Sequence, residues 1–134
     1  DDAATAEATE ALRKLHRNQI VRDCADQIKN RVLEYEHLKM PVFFEIYGER
    51  PPEGRSLYIS LHGGGNCPAL VNDAQWRNQM HLYSVKEGIY CAPRAPTDNW
   101  NQWHENHMDT LLTKLIELFV VFAEVDPRRV YLNG

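Results

Sequence analysis

The stretch that most constrains this chain is Ser56-Leu57-Tyr58-Ile59-Ser60-Leu61, which runs without a break into His62-Gly63-Gly64-Gly65. A strand that is apolar on both faces belongs inside a sheet covered by helices on both sides. Three consecutive glycines at the end of such a strand allow backbone angles closed to other residues and a close approach to a ligand. Their N–H groups can converge on one point, which suits a developing oxyanion or a phosphate. A Walker loop is excluded because no Gly-Lys-Ser/Thr follows, and the dinucleotide pattern G-x-G-x-x-G is not matched either.

The surrounding pattern fits the same architecture. Gly88-Ile89-Tyr90-Cys91-Ala92-Pro93 reads as a second buried strand, and Val130-Tyr131-Leu132-Asn133, after a turn at Asp126-Pro127-Arg128-Arg129, as the start of a third. Between them lie two helical stretches, from Asn72 to Tyr83 with Asn72 or Asp73 as N-cap, and from Glu105 to Glu124. Strand, helix, strand, helix, strand is the signature of parallel βαβ units with right-handed crossovers, so the fold class is α/β. Ahead of these units, Arg31 to Tyr35 and Val42 to Tyr47 read as an antiparallel pair, followed by the turn residues Gly48 to Gly54. Residues Thr9 to Asn30 read as an amphipathic helix carrying Leu12, Leu15, Val21, Cys24 and Ile28 on its apolar face. The expected organisation is a helical extension over 1–30 and an α/β unit over 31–134.

Charge and cysteine content narrow the function classes. Fifteen Lys and Arg against nineteen Asp and Glu give a net charge of -4. A chain built around nucleic-acid phosphates shows a basic excess, so nucleic acid is not an expected partner. Cys24, Cys67 and Cys91 cannot all pair within one chain, and none stands in a C-x-x-C spacing. The longest apolar run, Leu111 to Val125, is interrupted by Lys114, Glu117 and Glu124, which argues against a membrane span. A start at Asp1 with no targeting segment leans towards a secreted or periplasmic chain, although a cytoplasmic one fits as well.

In open α/β sheets, ligands bind beyond the carboxyl ends of the strands. The loop after Leu61 is one such place, and the loop Arg94 to His104 is the other. Trp100 and Trp103, with Asn66 and His104, suit a pocket wall that is apolar with a few polar anchors. Trp76 fits a core position, and Cys67 a small packing residue near the loop. Ser60 lies within a strand and Ser84 lacks flanking glycines, so neither suits a catalytic nucleophile. His104-Glu105-Asn106-His107 is one residue short of H-E-x-x-H, and no metal site is expected.

A strand ending in His-Gly-Gly-Gly resembles the oxyanion loop of α/β-hydrolase esterases and lipases. The final run, Asp126 to Gly134, resembles the approach to the nucleophile elbow Gly-x-Ser-x-Gly, with Gly134 as its first glycine. The two motifs stand in that order about seventy residues apart, separated by helix, strand and helix. The overall order is also similar to the dienelactone-hydrolase-like and polyhydroxyalkanoate-depolymerase-like branches. The likeness covers residues 32–134.

This resemblance implies the N-terminal part of an α/β-hydrolase sheet and a serine hydrolase acting on small-molecule carboxylic esters, without a cofactor. The amides of Gly64 and Gly65 are then expected to hold the oxyanion, with His62 and Gly63 shaping the loop. The nucleophilic serine is expected two residues beyond Gly134, and the triad acid and histidine further downstream. On this reading residues 1–134 are inactive alone, and a second segment or chain completes the sheet. A peptidase or amidase on the same fold is the alternative enzyme. A non-catalytic chain that binds a ligand or a second chain is the alternative of another class.

Overall fold

Alternation in the strands decides which residues meet which helix. The computed structural model describes residues 1–134 and contains α1 (Asp2–Asn30), β1 (Val32–Tyr35), β2 (Leu38–Tyr47), β3 (Arg55–Ser60), α2 (Ala69–Met80), β4 (Gly88–Pro93), α3 (His107–Ala123) and β5 (Val125–Asn133). The five strands form one mixed sheet in the order β1-β2-β4-β3-β5. β1 pairs antiparallel with β2, and β2 antiparallel with β4, whereas β4, β3 and β5 run parallel. The class is therefore α/β, with the antiparallel strands first and the parallel units after them, as the pattern predicts.

One face of the sheet packs on α3. Met108, Leu111, Leu115, Leu118 and Phe119, spaced three or four apart, are buried against Leu57, Ile59, Ile89, Cys91, Val42 and Leu33. The residues that alternate with these carry the contacts to α2 on the other face. There the Tyr90 hydroxyl donates to Gln79 O, Gln79 reaches Ser60, and the half-buried Trp76 donates its indole N–H to Ala92 O at 2.8 Å. Both faces of β4 are thus covered, and its sequence lacks a polar alternation. β3 instead alternates, with Leu57 and Ile59 towards α3 and Ser56, Tyr58 and Ser60 on the other side, so it is not the strand apolar on both faces that its composition suggests.

Five other elements differ from the sequence expectation. β2 starts at Leu38, four residues ahead of the expected Val42, so that it pairs with β1 across a tight turn. α1 starts at Asp2, and its apolar residues do not share one face. At about 100° per residue, Leu12 and Leu15 fall on the side roughly opposite Ile20, Cys24 and Ile28. The first two are 66% and 64% exposed, while Ile20, Cys24 and Ile28 rest on the core. α2 starts at Ala69 rather than at Asn72, with Pro68 as N-cap residue, and stops at Met80. α3 starts at His107, two residues later than expected, and ends on Glu124 in the left-handed conformation.

The fifth of these differences is β5. Asp126-Pro127-Arg128-Arg129 is a bulge inside this strand rather than a turn before it: Arg55 faces Val125, yet Leu57 already faces Val130. The Asp126 carboxylate holds the bulge by accepting from the Arg128 amide at 2.9 Å and from its guanidinium at 3.1 Å. β5 is also an edge strand, with Tyr131 and Leu132 largely exposed, and not the buried strand its composition suggests. No helix is long and apolar enough to cross a membrane.

Candidate functional site

The carboxyl ends of β3 and β5 lie side by side, because β3 pairs with β5 as far as Ser60 opposite Asn133, and the Leu61 amide continues to Asn133 O at 2.8 Å. Gly134 consequently rests against Leu61, close enough that a Cβ there would meet the Leu61 Cβ at 3.4 Å. A cleft of ≈ 420 Å³ opens at this point. His62, Gly63 and Gly134 line it. Leu61, Trp103, Leu112 and Leu132 give it an apolar wall, and His104 and Asp109 supply the polar side chains.

His62 is buried, and both of its ring nitrogens are engaged. Nε2 accepts the Ala95 amide at 3.1 Å, which places the proton on Nδ1, 2.6 Å from Gly63 O. Burial pushes its pKa below the ordinary value, outweighing the opposing effect of the Gly63 carbonyl. A neutral imidazole with no free nitrogen can shape the loop but cannot accept a proton from a substrate. Trp103 packs its ring against the imidazole edge to face at 5.0 Å and donates its indole N–H to His62 O at 2.9 Å. The strand end and the tryptophan loop are thereby joined.

The glycine loop is held from the opposite side by Asn72, in the first turn of α2. Its Oδ1 accepts the Gly65 amide at 2.9 Å and its Nδ2 donates to Asp98 Oδ1 at 2.8 Å. Sequence reasoning counts the Gly65 amide as a free donor; here it is free for a ligand only if the bond to Asn72 is given up. The Gly63 and Gly64 amides have no acceptor in the protein, and both residues are exposed. Gly64 and Gly65 have φ of +103° and +92°, angles that favour glycine. The Asn99–Trp100 backbone crosses Gly65 closely, with Asn99 O only 2.8 Å from where a Cβ would stand.

Arg94 ties the two loops together and was missed as a functional position. Its guanidinium contacts Asp98 at 2.8 Å and Asp73 at 3.1 Å, and donates to the carbonyls of Ala95 and Ala69. Hydrogen bonds from Asn72 first, and then from Arg94, hold the Asp98 carboxyl below its usual range. Glu105 is held low in the same way by the Thr97 hydroxyl and the Asn99 amide, which brace the second loop.

Not every expected pocket residue reaches the cleft. Trp103 and His104 line it, whereas Trp100 is 78% exposed and stands outside. Asn66 also lies outside, its amide donating to Asp98 O at 2.7 Å. Cys67 is a half-buried free thiol away from the cleft, and Ser60 is buried against Gln79. No three His, Cys, Asp or Glu side chains converge as metal ligands would. Gln102, buried beside Gly63 with its Nε2 3.4 Å from Gly63 O, carries no local signal that would have singled it out. Comparison with known protein families, with curated proteins and with solved structures returns no match for this chain.

Proposed function

We propose that residues 31–134 are the oxyanion-loop part of an α/β-hydrolase-type serine hydrolase that cleaves small-molecule carboxylic esters. The observation that carries this reading is the convergence of Gly63, which opens the glycine loop, and Gly134 on one cleft at the carboxyl ends of β3 and β5, with Gly64 next in the chain to Gly63. An elbow beginning at Gly134 would bring a serine beside the unpaired glycine amides. That serine oxygen would attack the ester carbonyl and lose its proton to a histidine base outside residues 1–134. The negative oxygen so formed would accept hydrogen bonds from the loop, the alcohol would leave, and water would release the acid. The free amide of Gly64 is the donor this reading favours, with Gly65 fixing the loop through Asn72. The apolar wall of Leu61, Trp103, Leu112 and Leu132 suits the hydrocarbon part of an ester better than a charged substrate.

The test is fluorophosphonate labelling of the complete protein with mapping of the modified peptide. Label on a serine two residues past Gly134 supports the reading. A complete protein with no serine there, or one that hydrolyses no nitrophenyl ester, overturns it. A panel that includes peptide amides separates esterase from amidase.

The exposed edge of β5 favours a further strand, from a second segment or chain, pairing alongside Tyr131 and Leu132. On that view residues 1–134 alone associate with rising concentration, and Leu132→Lys weakens the association in sedimentation velocity. A monomer at all concentrations would remove this support.

A further inference from the structure

We infer that Asn72 is the positioning residue of the glycine loop, holding the Gly65 amide so that the Gly64 amide is presented to the reacting oxygen. The inference rests on the hydrolase reading above and adds a residue that the sequence motif does not contain.

Asn72 is fully buried, so it touches no substrate. Both ends of its carboxamide are committed, the oxygen to the Gly65 N–H and the nitrogen to the Asp98 carboxylate. Turning the amide over would set N–H against N–H and oxygen against carboxylate, so only one orientation satisfies both neighbours. Asp98 is fixed in turn by Arg94, whose second carboxylate partner, Asp73, lies on the same helix as Asn72. The chain Arg94–Asp98–Asn72–Gly65 therefore links α2, the tryptophan loop and the glycine loop. Asn72 also accounts for the glycine at position 64, because a Cβ there would stand 2.2 Å from its Oδ1. With Gly65 withdrawn, the exposed Gly64 amide is left to donate.

Three variants of the complete protein test this. Asn72→Ala is expected to speed hydrogen exchange at the Gly65 amide and to lower kcat on the order of 10²-fold with KM nearly unchanged, the size of effect a misplaced group produces. Asn72→Asp sets two carboxylates face to face and is expected to lose as much. Asp98→Asn alone keeps a carboxamide oxygen where Asp98 Oδ1 accepts from both Asn72 and Arg94, and so keeps the Asn72 carboxamide in its orientation. Its kcat is expected to stay about 10-fold or more above that of Asn72→Asp.

A kcat that is unchanged or raised in folded Asn72→Ala overturns the inference, since the Gly65 amide would then be the better donor. If Asn72→Ala does not fold, Asp98→Asn decides: a kcat as low as that of Asn72→Asp overturns it. A wild-type protein without esterase turnover instead sinks the hydrolase reading. Exchange at Gly65 still reads the clamp in that case, and equal rates with and without Asn72 would sink the clamp as well.

Discussion

The amide of Ala95 donates to Nε2 of His62 across 3.1 Å, so the second residue after β3 and the loop after β4 are joined through the one acceptor nitrogen of a buried imidazole. His62 is a strut between two loops, and its worth depends on its staying neutral. Protonating Nε2 would set N–H against N–H at a site where burial already disfavours the charge.

Acid should therefore loosen the site before it affects the carboxylates. The folded protein holds His62 below its ordinary value of 6.5, so the unfolded chain binds the proton more readily. Stability from this group is full above that value and falls as pH drops through the lowered folded pKa. Asp98 and Glu105, also held low, add a further loss only below their ordinary values of 3.8 and 4.5. His62→Ala should lose about 1–3 kcal/mol at neutral pH by orphaning the buried Ala95 amide, and should flatten the decline between pH 7 and 5. Urea midpoints measured across that range check both; an equally steep decline in the variant would contradict the assignment.

The three glycines of the loop should differ in their response to alanine. Gly63 has no positive φ, and its nearest neighbour, Gln75 Oε1, would be 3.5 Å from a Cβ. Gly63→Ala should change stability by less than about 0.5 kcal/mol. Gly65→Ala combines a positive φ with a backbone oxygen at 2.8 Å and should cost about 1–3 kcal/mol. Gly64→Ala should displace the Asn72 side chain as well and so raise exchange at the Gly65 amide. Denaturant unfolding of the three variants ranks them, and equal costs at 63 and 65 would refute the conformational argument.

Arg94→Lys should not be tolerated as a conservative change. The guanidinium meets Asp73 and Asp98 from different edges while donating to backbone carbonyls, a fork that an ammonium cannot reproduce. The expected loss is about 2–3 kcal/mol, below that of a fully buried pair because both carboxylates are partly exposed. The Asp98 carboxyl should titrate at a higher pH in the variant. Carboxyl-carbon NMR titration reads that shift, and an unmoved Asp98 would show that Asn72 alone holds it.

The parts of this site that the sequence made legible are those whose cause is local. β4 is apolar on both faces because both faces are covered, β3 only on the face towards α3, and the glycine run marks the abrupt end of β3. Asn72 misled because its preference for helix caps drew the start of α2 towards it, although the helix begins after Pro68. Its actual partners, Gly65 and Asp98, stand 7 and 26 residues away. Trp100 and Trp103 look equivalent in a Trp-rich loop, yet only Trp103 finds an acceptor, at His62 O. The β5 bulge hides in a sequence, Asp-Pro-Arg-Arg, with turn chemistry, because only the parallel partner reveals that the strand resumes beyond it.

The N-terminal helix gives the last prediction. Its apolar residues look like one stripe when counted, but angular position divides them into two groups. Ile20, Cys24 and Ile28 rest on the core, while Leu12 and Leu15 point away from it. The C-terminal end of the helix is also fastened by polar contacts, with Gln27 Oε1 accepting the Glu34 amide at 2.9 Å and Arg31 donating to Phe44 O at 2.6 Å. The N-terminal half has no comparable anchor beyond His16 and Glu117, both largely exposed at 3.4 Å, a pair worth little in water. Ile28→Glu should therefore cost about 1–2 kcal/mol, the value of a partly buried aliphatic side chain. Leu12→Glu and Leu15→Glu should each stay within about 0.5 kcal/mol of wild type. Urea unfolding followed by circular dichroism measures all three, and a loss at Leu15 matching that at Ile28 would mean that the first half of α1 packs on a surface this arrangement leaves bare.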